Sequence, residues 1–282
     1  GIFVFVFLVI SLLFKAFTTY VQTRFVQMRE YTIGKRLVEG YLYQPYTWFL
    51  RRHSADLGKT ILSEVSQVVG SGMNPLMTLI SHGMVSIAII VLLIIADPKL
   101  ALIVGFSLGG AYSLIFYFTR NYLDEIGKER LKSNQLRYTA ISEAFGAAKE
   151  VKVGGLEKVY TKRFSDSAQV FALTAAYATI IRLLPRYILE IIAFGGVMLV
   201  ILYLMDQTGS FNSALPIISL YVFAGYRLMP SLQQIYFSFA QLAFIKPSLN
   251  ALYNEIKNMK PFKINHVQGV LSFNKEINLK NF

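Results

Sequence analysis

The chain has no cysteine, one tryptophan and three scattered histidines, His53, His82 and His266. Without cysteine there are no disulfides and no thiolate metal sites, and the redox compartment stays open. No H-E-x-x-H occurs, and no G-x-x-x-x-G-K-[ST]. The sequence therefore carries neither a zinc-hydrolase helix nor a phosphate-cradling loop. No Ser or Cys nucleophile motif stands out, so no catalytic residue is assigned and no metal is expected. Charge is scarce as well: 16% of 282 residues, against about 25% in soluble domains.

What is there is apolar. Hydrophobic residues make up 54% of the chain, and the mean hydropathy is +0.47. Membrane is the first expectation. The net charge of +12 then has two possible addresses, nucleic acid or the cytoplasmic loops of a membrane protein. The apolar runs select the second, with lipid and not nucleic acid as partner.

Five apolar stretches follow: Ile2 to about Tyr20, then about Pro75–Ala96, Leu100–Thr119, Leu183–Leu204 and Ala214–Ile245. The last four approach the roughly 20 residues that cross a bilayer. The first looks shortened at its start and has no basic region before it. It is read as part of a span rather than a signal peptide. Of the 28 Lys and Arg, only Lys99, Arg186 and Arg227 fall outside residues 15–59, 120–182 and 246–280. That asymmetry places the long loops in the cytoplasm and the turns "ADPKL" (96–100) and "MDQTGSFNSALP" (205–216) outside. A sixth span before Gly1 would complete a six-helix unit.

The long loops do not read as loops. Residues 120–150 contain no proline and two glycines, and good helix formers dominate. The third span is expected to continue as one helix from about Pro98 to Ala147, about 75 Å. "VGG" (153–155) breaks it, and a second long helix runs back as far as Pro185. The first loop turns at "QPYTWFLRRHSADLGK" (44–59). Either these are ordinary hairpins, or they are stalks with short helices at their tips. On the second reading Trp48 and Phe49 stand exposed as apolar anchors for a partner. From residue 258 the membrane pattern ends. Pro261 and Gly269 punctuate the tail, and "VLSFNKEINLKNF" alternates with a strand's period. The expected division is a membrane domain over 1–258, then a linker and the first strand of a second domain over 259–282.

Polar lines mark three spans. Arg227, Ser231, Gln234, Ser238 and Gln241 share a helix face, as do Ser11, Lys15, Thr18 and Gln22, and Arg182, Arg186 and Glu190. Such lines suit a shared interior or a watered cavity better than lipid. The Ser, Thr and Gln positions also fit hydrogen bonding between helices, and Arg186 and Glu190 could neutralise each other one turn apart. Two span cations against one nearby acid point to an anionic ligand, with Pro230 placed to kink the wall. Gly105 and Gly109 form a G-x-x-x-G, which suggests close packing.

"PYTWFLRRHSADLGKTILSEVSQV" (45–68) and "ISEAFGAAKEVKVGGLEKVYTKRF" (141–164) resemble the two intracellular loops of type I ABC exporters. The resemblance implies an all-α polytopic bundle of that type, with long cytoplasmic helical extensions. It makes Tyr46, Trp48, Phe49, Glu150 and Lys152 candidates for coupling to a nucleotide-binding domain of the same polypeptide. That domain would hold ATP and Mg and pair two chains as a homodimer. "GVLSFNKEINLKNF" (269–282) resembles its opening strand. "LPRYILEIIAFGGVMLV" (184–200), "ISLYVFAGYRLMPS" (218–231) and "LSFNKEINLKNF" (271–282) are similar to bacterial flippases of lipid-linked oligosaccharides. Those turn a polyprenyl-diphosphate glycan across the inner membrane, and cavity arginines attract its diphosphate. On that resemblance Arg186 and Arg227 are substrate-binding candidates, and Lys15, Arg182 and Gln234 join them from the polar lines. A general exporter of drugs, lipids or peptides would share the fold and need no anion site. A membrane sensor or scaffold would lack an ATPase after Phe282.

Overall fold

The computed structural model describes residues 2–96, 98–208 and 211–259. The side chains of 96, 99–101, 103, 104, 107, 192, 193, 196, 197, 199–208, 211–225 and 227 lie outside that description. The expected C-terminal strand, at 260–282, lies outside it too.

Everything regular in the described residues is helical. In order these are α1 (Ile2–Leu42), α2 (Tyr46–Phe49), α3 (Ser54–Lys59), a π-helical turn (Thr60–Glu64), α4 (Val65–Ala96), α5 (Pro98–Gly146), α6 (Ala148–Val153), α7 (Glu157–Thr208) and α8 (Phe211–Asn258). The 49 residues of α5 make a rod of about 74 Å. It is one continuous helix because no proline interrupts it after its first residue and its second half consists of good helix formers. It ends at Gly146, α6 makes a short turn, and Gly155 at φ 64° supplies the left-handed residue that reverses the chain.

The second stalk does not stop at Pro185. α7 runs through it. A helical proline leaves the carbonyl four residues back without its hydrogen bond. That carbonyl belongs to Ile181, and Tyr236 Oη donates to it at 3.1 Å. A side chain from a neighbouring helix thus satisfies the group that proline abandons, as membrane helices require.

α8 packs along α4, α5 and α7, and α5 packs along α7, while α1 rests mainly on α4. One core collects Leu123 and Ile126 of α5, Ala178 and Leu189 of α7, and Tyr236, Ala240, Phe244 and Ile245 of α8. A second, towards the tips, collects Val26, Leu37 and Tyr41 of α1, Val65, Val68 and Val69 of α4, and Leu252 of α8. The backbones of α5 and α8 come closest at Gly127, where a Cβ would lie 2.2 Å from the Phe244 carbonyl oxygen. Gly105 and Gly109 have no atom of the described residues within 4 Å of where a Cβ would sit. Among the described residues the close approach of α5 to a neighbouring helix falls on Gly127, where it meets α8 at the level of the stalk.

Among the described residues three helical stretches are long and apolar enough to cross a membrane: Ile2–Leu42, Ser54–Ile95 and Glu157–Ile191. The third and fifth expected spans fall on the start of α5 and the first half of α8, where many side chains lie outside the description.

Candidate functional site: the polar face of the membrane helices

Arg186 sits on α7, one turn before Glu190 and one residue after the buried Pro185. Its Nε donates to Glu190 Oε1 at 2.8 Å. The arginine side chain is 54% exposed and the glutamate 31%. Gln233 of α8 donates to the same carboxylate oxygen at 3.3 Å. The neutralising i,i+4 pair is thus formed, and it uses the Nε edge. Among the described residues the other guanidinium nitrogens have no hydrogen-bond partner, which leaves a planar donor edge facing outward.

Arg182 is placed differently. Nε donates to the Ala178 carbonyl at 2.9 Å and Nη2 to Thr179 Oγ1 at 2.8 Å. Its guanidinium lies 5.1 Å from the Phe237 ring centre and 5.9 Å from that of Phe244. It is wedged between α7 and α8, with a cation–π contact in place of a carboxylate. Lys15 on α1 is exposed, as is Gln234 on α8. Arg227 lies on α8, but its side chain is outside the described residues.

Among the described residues the α7 and α8 polar lines meet different neighbours. Ser231, Ser238 and Gln241 are buried, and Ser231 Oγ lies 3.5 Å from His82 Nδ1 of α4. The α8 residues seen to meet α7 are Gln233, Tyr236, Phe237 and Phe244; they fall between the positions of that line and so on another face of the helix. Thr18 bonds back to its own helix at Phe14. Which neighbour a line meets is set by how the helices are arrayed.

At the tips, Tyr46 is 76% exposed. The expected exposure of Trp48 is corrected. It packs on the lower core, with its ring centre 5.3 Å from that of Tyr41, and Arg52 caps it at 4.3 Å. Phe49 is half-buried beside it. A single-turn helix entered from the extended Pro45 spreads its aromatic side chains, at 46, 48 and 49, round its axis, and those of 48 and 49 turn inward. On the other tip Glu150 is exposed, and Lys152 pairs with Glu157 at 3.1 Å.

Sequence reasoning missed a buried polar cluster in the stalk. Glu64, Arg130, Asn134 and Ser248 are each at most 4% exposed. The one local signal was Asn134, a poor helix former inside a run of good ones.

A family model described as the ABC transporter transmembrane region matches residues 1–231. The chain belongs to that family. It is thus a multi-pass membrane domain of an ABC transporter, embedded in lipid and built to pair with a nucleotide-binding domain.

Proposed function

We propose that this ABC transmembrane domain belongs to an ATP-driven exporter that turns an anionic lipid, of the lipid-linked oligosaccharide class, across a bacterial inner membrane. One observation supports it most directly: Arg186 sits in a membrane helix with its terminal guanidinium edge open. A diphosphate reaching that edge in a water-poor setting gains paired charge-assisted hydrogen bonds, for which arginine is better shaped than lysine. Arg227 is the expected second donor, with Lys15, Arg182 and Gln234 lining the path. The polyprenyl tail stays in lipid while the head group crosses. Tyr46, Trp48, Phe49, Glu150 and Lys152 belong to the tips that dock on the nucleotide-binding domains. ATP and Mg act on those domains, and two chains form the working dimer.

A second reading rests on Glu190. Because this acid already pairs with Arg186, a general exporter with no anion site is also served. Both are tested in liposomes with the full transporter and ATP, following a labelled polyprenyl-diphosphate sugar. Arg186→Ala and Arg227→Ala should keep ATP hydrolysis and lose translocation. Variants that move the lipid as well as wild type would leave the general exporter.

A further inference from the structure

The buried cluster in the stalk joins four long helices. Glu64 closes the π-turn, in which the Val65 N–H reaches back to the Thr60 carbonyl. Glu64 Oε2 accepts from Arg130 Nη1 at 3.3 Å, and Oε1 accepts from Asn134 Nδ2 at 2.7 Å. Arg130 also donates to Ser248 Oγ of α8 at 3.0 Å, and lies 5.4 Å from the centre of the Phe171 ring of α7. The segment N-terminal to this turn, α2 and α3, is the foot that ends in the exposed Tyr46.

Two observations distinguish a joint from a fixed weld. The first is the π-turn itself. It holds one residue more than an α-turn, and shifting that residue along the helix rotates the foot against α4 by about 100°. Turns of this kind recur at functional positions. The second is a spare cation. Lys59 ends α3, is 7% exposed, and has no hydrogen-bond or ion-pair partner among the described residues. With Arg52, Asp56, Glu64, Gln135 and Glu255 it lines a cavity of about 210 Å³. A buried ammonium without a partner is costly. An arrangement in which Glu64 turns to Lys59 moves that cost to Arg130, which keeps Ser248 and the face of Phe171, so one carboxylate serves two cations in turn, and the cavity supplies the room.

We propose that Glu64 is a positioning residue of ATP-coupled transport: by exchanging Arg130 for Lys59 across the π-turn, it carries movement of the α2–α3 foot to α8 and so to the membrane wall. The inference rests on the chain's membership of the ABC family and holds whichever lipid or solute is moved.

The test uses the full transporter in proteoliposomes, with ATP and vanadate as the only ligands. This domain has no cysteine, so one placed at the exposed Tyr226 of α8, with any outside the domain removed, reports the wall through its rate of labelling by a water-soluble maleimide. Wild type should change that rate about fivefold or more when ATP and vanadate are added. Lys59→Met should hydrolyse ATP and unfold thermally as wild type does, or at higher temperature, yet lose the change. Lys59→Arg should restore it. Glu64→Gln, which keeps the volume and removes the charge, should also lose it. A wild-type response in Lys59→Met overturns the proposal, as does a wild-type protein whose labelling ignores ATP. So does a loss of response that only follows loss of ATP hydrolysis. Because no transported lipid is present, these results are separate from those for the diphosphate site.

Discussion

Two ion pairs in this chain contrast sharply. Glu64 and Arg130 come from different helices, are about 95% buried on both sides, and sit 3.3 Å apart. Arg186 and Glu190 share one helix, are partly exposed, and sit 2.8 Å apart. The shorter pair is the less consequential for stability. An exposed i,i+4 pair exchanges little with solvent when broken, whereas removing one partner of a buried pair strands a charge. The stalk therefore uses its pair to set how four helices meet. The α7 pair leaves its arginine partly exposed.

Substitutions can break that contrast. The largest effect should come from Arg130→Met, which leaves Glu64 buried without its cation. It should lower the unfolding free energy by about 3–5 kcal/mol, measured by thermal unfolding in detergent. Next is Gly127→Ala, whose Cβ would meet the Phe244 carbonyl oxygen at 2.2 Å. Separating α5 from α8 should cost about 1–3 kcal/mol by the same measurement. Gly109→Ala on the same helix meets no atom of the described residues within 4 Å, and should be neutral or raise stability by up to about 1 kcal/mol. A loss of stability instead would show that this glycine packs against a second chain. The smallest effect on stability should be that of Arg186→Ala, within about 0.5 kcal/mol. A drop as large as that of Arg130→Met would erase the distinction between the two pairs.

Much of the architecture was legible because helices announce themselves locally. The length of α5 followed from a run without proline and its start from "ADPKL", whereas "VGG" marks the reversal after α6 rather than the end of α5 at Gly146. The i,i+4 pairing of Arg186 with Glu190 followed from spacing alone. Pro185 misled because its cost is decided elsewhere: only the approach of Tyr236 made the helix tolerable there. Trp48 misled in the same way, since its exposure depends on whether α1 offers Tyr41 as a surface.

The sequence by itself determined a helical membrane protein with basic stalks, because hydropathy, charge asymmetry and helix propensity act over short stretches of chain. It also determined which residues share a helix face, because the period of the helix is constant. Only the tertiary structure decided which faces meet. Glu64 and Arg130 stand 66 residues apart in sequence, and nothing periodic relates them. Their pairing depends on the α5–α8 approach at Gly127 and on the extra residue of the π-turn. Among the described residues the α7 and α8 polar lines meet different neighbours for the same reason: a contact between helices belongs to their packing, and packing is a property of the whole bundle.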